Sequence, residues 1–434
     1  MKRWKYVPAV ILLLFIVSSC STLEDSRSSS REDSDRFADG NYFQIEPMAV
    51  SDTTIRSIQL HPTHHSDAPP ILELESGQTL TLRFERVATG SMQYRMSIEH
   101  VRPDWTSSGM STEMYLDGFP ELVIGSGMVS RNTRTSYRQY SVEFPQAGFR
   151  ILRSGNYLLR VTEDGNGYEV FSIPFFVSED EGSIQADIEI RTAISRQVST
   201  THRPVADYRL PGFVDQPQFD LSFVFTQNRF WGSHREADEL DFSAPGQVRF
   251  ELSNELSFPG NRDFRRLYLR DITQQQRGVV EAFPGETPPR IILQDDIAEV
   301  NNSPIESSTF PGSFGRPNMG LNAEYANVVF PFDAAIPPDS NSSIHLLGDF
   351  NFWLPGAENR LSFDEESGRW TTQLLIKEGV YRYKYVLIKN GKIDDLYFDN
   401  FFSNRTQQYH AFVYMYDSRE FYHRLLKVQE FYSQ

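Results

Sequence analysis

The side chains best suited to chemistry are few. His61, His64 and His65 form the densest group of ligand-type residues, and two or three imidazoles can hold a divalent metal. No Glu-bracketed helical pair, second-shell carboxylate pattern or Cys ligand accompanies them, so their spacing predicts a solvated loop rather than a zinc site. The carboxylate pairs Asp295-Asp296 and Asp394-Asp395 are adjacent in turn-forming sequence. A glycosidase needs two carboxylates held across a sugar cleft, and adjacent acids in a turn predict solvated positions instead. No nucleophile has a nearby base and orienting partner, and neither the P-loop nor the dinucleotide fingerprint occurs. The residues therefore predict a protein with no catalytic site, no metal and no cofactor, which acts by binding.

Cys20 is different, because its setting specifies a chemistry. Lys2, Arg3 and Lys5 precede the apolar run from Val7 to Val17, which ends in Val17-Ser18-Ser19-Cys20. A basic start, a short apolar stretch and small residues before a cysteine make a lipoprotein signal peptide over residues 1–19. The run is too short for a bilayer span, which needs about 20 residues. Cys20 is the only cysteine in the chain, so its thiol has no disulfide partner and is free to carry a diacylglycerol thioether. Ser21 in the next position favours the outer membrane. Residues 20–50 open with a stretch rich in Ser, Asp, Arg and Glu that cannot offset its ordering entropy by packing, and read as a tether.

The elements beyond the tether are strands. Leu80, Leu82 and Phe84 alternate with polar residues, as do Tyr140, Val142 and Phe144, then Phe219, Leu221, Phe223 and Phe225, then Val248, Phe250 and Leu252, and finally Tyr381, Tyr383, Tyr385 and Leu387. Period-two alternation in short runs broken by Gly, Pro, Asn and Asp marks half-buried antiparallel strands, and many such strands imply sandwiches. The expected fold is all-β, with three consecutive immunoglobulin-like or early-set sandwiches at residues 51–180, 181–300 and 323–434, and a loop at 301–322. Phe421, Leu425, Val428 and Tyr432 fall at helical spacing and predict a short C-terminal helix. A formal net charge of −16 with no Lys/Arg cluster excludes nucleic acid as the expected partner.

Ile344 to Trp353, Gly368-Arg369-Trp370 and Gly379 to Val386 together resemble the early-set sandwich of glycogen- and starch-binding domains. That resemblance implies a sugar-stacking role for Trp353 and hydrogen bonding to sugar hydroxyls for Lys384, with Ile393 standing where a second stacking Trp is expected. The other reading of Trp353 and Trp370 is as aromatics of the sandwich itself. Across the whole mature chain, the stretches Gln93 to His100, Asp104-Trp105, Tyr115 to Phe119, Ser130 to Thr133, Tyr137 to Tyr140, Leu152 to Leu159, Thr226 to Arg229, Pro259 to Asn261, Phe402 to Thr406 and His423 to Leu426 resemble the plug protein family of the type IX secretion system. The resemblance implies a protein on the periplasmic face of the outer membrane that docks on a large β-barrel translocon and closes its pore. A glycan-binding surface lipoprotein, with polysaccharide as partner, is the alternative.

Overall fold

The computed structural model describes residues 48–192, 200–272, 276–298, 316–334, 341–399 and 405–433. Cys20, the signal peptide and most of the tether lie outside them. No helix among the described residues is long and apolar enough to cross a membrane.

The all-β reading holds throughout. In the first sandwich one sheet runs Ala49–Val50, Glu169–Ser178, Gly155–Glu163, Tyr94–Val101, Glu121–Ile124, with Ile71–Glu73 added in parallel beside Glu169–Ser178. The facing sheet runs Ile55–Pro62, Leu80–Arg86, Arg138–Phe144, Met128–Val129. Leu80, Leu82 and Phe84 are fully buried between them. Phe84 stacks on Tyr140 and meets Tyr94 and Phe171 edge-on. Aromatic pairs in such geometries add about 0.5–1.5 kcal/mol each beyond their buried area.

Strand pairing overturns the expected domain order beyond residue 180. One sheet of the second sandwich runs Ser183–Thr192, Thr200–Arg209, Gln247–Glu251, Glu239–Asp241. Its other sheet joins Arg235–Glu236 and Leu221–Gln227 to Gln408–Asp417 and Tyr422–Tyr432 from the end of the chain. The third sandwich is inserted between these halves. One of its sheets is built around Gly379–Lys389, with Arg265–Leu269 and Ser342–Gly348 along it. The other runs Val279–Phe283, Arg290–Leu293, Tyr325–Asp333, Arg369–Lys377, Ser362–Asp364. The boundary at residue 300 thus cuts through the inserted sandwich, and the assignment of 323–434 to one domain joins strands of two. The physical reason is that Phe223 and Phe225 need Val413, Ala411 and Leu426 opposite them to close their core.

The C-terminal helix is also corrected. Tyr422–Tyr432 is a strand paired along its length with Gln408–Asp417. The register shifts at Val413/Tyr414, so that Leu425 and Lys427 pair while Leu426 between them does not. A bulge of this kind puts an extra residue into one strand. It breaks the period of two and leaves apolar residues at intervals that imitate a helix. Leu426 and Phe431 join one core and Leu425 another, whereas Phe421 is 73% exposed. Phe219, expected to share a strand face with Leu221, lies instead in the one-turn helix Pro217–Asp220 and is exposed.

Candidate functional site

Each sandwich buries one face of its strands in its own core and turns charged residues of the other face into a seam with a neighbour. Between the first and third sandwiches, Lys377 Nζ donates to Glu85 Oε1 at 2.6 Å, and both side chains are fully buried. Tyr325 OH donates to Glu85 Oε2 at 2.7 Å and Gln139 Nε2 to Oε1 at 2.9 Å. The ammonium lies 4.3 Å from the centre of the Tyr137 ring, and the Tyr137 hydroxyl donates to Ala323 O at 2.9 Å. Every one of these contacts crosses between distant parts of the sequence.

The seam between the second and third sandwiches is richer in charge. Arg262 Nε donates to Asp395 Oδ2 at 2.7 Å, with both side chains buried, and its Nη1 donates to Gln227. Lys384 reaches Asp399 at 2.5 Å. Burial pushes the Asp399 carboxyl up to about 6, with Lys384 pulling the other way. The solvated-turn reading of the two Asp pairs therefore fails for Asp296 and Asp395, while Asp295 is exposed as expected. Asp395 is buried against Arg262, and Asp296 accepts hydrogen bonds from Tyr383 and Tyr385 at 2.8 Å each while pairing with Arg265.

The first and second sandwiches meet around Phe176, which packs on Trp231 and Phe412 with ring centres 5.0 Å away in both cases. Trp105 Nε1 donates to Trp231 O at 3.2 Å, and Arg424 clamps Glu179 through Nε at 2.8 Å and Nη2 at 2.5 Å. His100 belongs to this seam. Its Nε2 donates to Ser154 O at 3.1 Å, its ring meets Tyr157 and Tyr422 edge-on, and its Nδ1 is buried without a partner among the described residues.

Burial lowers the His100 imidazolium from 6.5 to about 4, opposed by the Ser154 carbonyl and helped by the nearby His423. A histidine lowered on folding binds fewer protons folded than unfolded, so its contribution is intact above about pH 6.5 and is lost as pH falls toward 4. Linkage predicts that wild type loses about 2 kcal/mol from this residue between about pH 7.5 and pH 5. In His100→Gln that part of the pH dependence should vanish in urea titrations at the two pH values, since Gln keeps a donor for Ser154 O. Comparing the two proteins cancels Asp399, which acts in the opposite sense. An unchanged pH dependence would show that His100 is not the acid-sensitive group.

The residues singled out for sugar binding do not form a sugar platform. Trp353 is 4% exposed and packs with Phe230, Leu347, Val386 and Ile393, with Phe264 against the same cluster. Phe352 and Trp353 both have positive φ, 58° and 61°, a conformation that L-residues adopt at a cost. The preceding turn is held by Asn351, which accepts from Gly348 N and donates to Leu346 O, each at 2.8 Å. It turns the indole inward, where Nε1 donates to Asp349 at 3.0 Å. Lys384 is buried with Trp353 in this seam, while Trp370 stands apart, half-buried on the opposite sheet beside Phe363. His61 is buried and His64 and His65 are exposed, so the three imidazoles do not converge. No group of three metal-ligating side chains occurs among the described residues.

Sequence reasoning missed the outer edge of the first sandwich. Glu121–Ile124 and Met128–Val129, joined by a short turn, end the two facing sheets, and each pairs with a single strand. Val123, Met128 and Val129 there are 60%, 54% and 48% exposed. Edge strands with unpaired backbone and apolar side chains are templates for association. The signal of this edge in the sequence is weak, because Leu122-Val123-Ile124 looks like any buried strand.

A family model described as the Type 9 secretion system plug protein 1st domain matches residues 55–179, the span of the first sandwich. A crystal structure of a hypothetical protein from Parabacteroides merdae superposes with a TM-score of 0.79 at 20% identity, over 89% of this chain and 99% of that one, and shows the same fold. An alkylpurine DNA glycosylase of Pseudomonas fluorescens (TM-score 0.18, 13% identity, 29% of this chain and 30% of that one) and the alpha-2-macroglobulin of E. coli (0.19, 9%, 91% and 23%) do not share it. No curated protein matches the chain. Residues 55–179 are thus similar to the first domain of the type IX secretion system plug proteins.

Proposed function

We propose that this chain is a non-catalytic outer-membrane lipoprotein that docks on the type IX translocon barrel and closes its periplasmic opening, held at the membrane by lipid on Cys20. The observation that carries the reading is the match of residues 55–179 to the plug family. The architecture supports it. A stopper has to resist deformation, and three sandwiches joined through buried pairs such as Lys377–Glu85 and Arg262–Asp395 have few ways to hinge. The apolar edge at Val123 and Met128 supplies a docking face. A lipid anchor raises the local concentration of the stopper at the membrane without any added contact to the barrel.

The test is a mild-detergent pull-down of the tagged full-length chain from its native membranes, with mass spectrometry of what is retained. A very large outer-membrane barrel in stoichiometric amount is expected. Val123→Asp/Met128→Asp should melt within about 0.5 kcal/mol of wild type, as exposed substitutions do, yet retain far less barrel. Absence of any barrel with the wild-type chain would overturn the reading.

A further inference from the structure

A groove crosses one end of the first sandwich. It lies between the strand Ile71–Glu73 with its following turn and the strand Phe149–Ile151, and it holds about 1210 Å³ of open space. Its floor is apolar, formed in part by Leu72, Leu74 and Ile151, and its rim carries Glu73, Glu75 and Asp117. Arg150 is the single cation lining it and is already paired with Asp117 at 2.9 Å. An occupant must therefore offer apolar groups to the floor and positive charge to the rim.

The walls specify its backbone as well. Ile71–Glu73 pairs as a strand with Glu169–Ser178, and Phe149–Ile151 with Leu116–Gly118. On their outer edges the backbone is engaged only by local turns, Ile71 N–H with Pro69 O at 2.7 Å, Glu73 O with Ser76 Oγ at 2.6 Å, and Phe149 with Gln146 at 2.9 and 3.1 Å. The Glu73 N–H is occupied by Gln78 Oε1 at 3.3 Å, an exposed side-chain contact that a backbone carbonyl can displace. An extended segment laid along the groove gains main-chain hydrogen bonds only by displacing such local contacts, so its affinity rests mainly on side chains, which at period two point alternately at floor and rim. Phe119 stands beside the groove, 71% exposed, with its N–H on Gly148 O at 2.7 Å. Gly148 itself lines the groove. Exposed aromatics beside a concave apolar surface are the residues that most often anchor a partner.

We infer that this groove binds an extended segment of a partner protein in which apolar residues alternate with Lys or Arg. The inference rests on the secretion reading only in taking the partner to be a protein of that apparatus. The charge pattern and the strand edges stand without it.

The experiment uses the purified full-length chain and a labelled octapeptide alternating Val with Lys, followed by fluorescence anisotropy at about 50 mM and about 300 mM salt. Saturable one-to-one binding that weakens with salt is expected. Glu73→Lys/Glu75→Lys should weaken it by about tenfold or more, as should Phe119→Ala, because like charges and a lost anchor act directly on the complex. The distant reversal Glu365→Lys/Glu366→Lys should leave it unchanged, and a Val/Glu octapeptide should not bind. Near-UV circular dichroism of the variants reports folding. Equal binding by the two charge-reversed proteins, or no saturable binding, would overturn the inference. Barrel retention by the same wild-type protein separates the readings. Barrel retained without peptide binding sinks the groove and leaves the plug, and the reverse result sinks the plug and leaves the groove.

Discussion

Lys377→Met is expected to lower stability by about 3–5 kcal/mol, the cost of breaking a buried ion pair by removing one partner. Glu85 cannot turn to water in the variant. Its side chain has no exposed surface, and Tyr325 and Gln139 hold it in place. The carboxylate would keep two neutral donors and lose the one counter-charge paired with it among the described residues. Burial already pulls the Lys377 ammonium down from its ordinary value, with Glu85 acting to restore it. Glu85→Gln/Lys377→Met should recover most of the loss. The amide oxygen still accepts from Tyr325, and no net charge stays buried. Urea midpoints of the four proteins in this cycle give the coupling directly. If the double variant is as unstable as Lys377→Met alone, the buried charge is not the cause and loss of packing around the lysine stem is. The pair also joins residues 292 positions apart in sequence across the first and third sandwiches, so Lys377→Met should loosen the joint between them.

The faces that build the cores were legible in the sequence, and the faces that join the sandwiches were not. Leu80, Leu82 and Phe84, like Val248, Phe250 and Leu252, alternate with polar residues and are all buried, because an apolar row of period two has one physical solution. On the same strand as Leu80, however, Glu85 points the other way and is equally buried. In the strand Gly379–Lys389 the tyrosines face the core while Arg382 and Lys384 enter the seam. A charged residue on the outer face of a strand reads as solvated, and nothing near it in sequence announces a partner on another sandwich. The same limit explains the domain order. Leu221–Gln227 carries a clear apolar face, but that its sheet is completed by Gln408–Asp417 is a long-range fact with no local signature. The bulge at Leu426 is an error of a different kind, in which a break in one period created the appearance of another. The lipid anchor expected at Cys20 rests on local sequence alone, and the residue lies outside the described ones.

Trp353→Ala is expected to cost about 3–5 kcal/mol, the range for removing a large buried aromatic, because the surrounding residues can close the cavity only in part. The indole is wedged between two sandwiches. Phe230 and Phe264 meet it edge-on with ring centres 5.5 and 5.3 Å away, and the Arg382 guanidinium lies 5.7 Å from its centre. Arg382 also donates to Asp349 through its backbone N–H at 2.7 Å and through Nη2 at 3.0 Å. Deleting the indole therefore leaves the carboxylate partnered, and the loss is one of packing rather than of an orphaned charge. Trp353→Phe, which refills part of the space but cannot donate to Asp349, should fall between. Ile393 fits the same account, since it packs in the cluster with Trp353 and an aliphatic side chain is what a closed seam needs there. The two roles of Trp353 predict opposite results. A sugar platform would lose polysaccharide retention at an unchanged urea midpoint, whereas a seam residue loses the midpoint and changes no carbohydrate interaction. A seam role also predicts that Trp353→Ala and Phe264→Ala are non-additive, because each empties the same space between the second and third sandwiches.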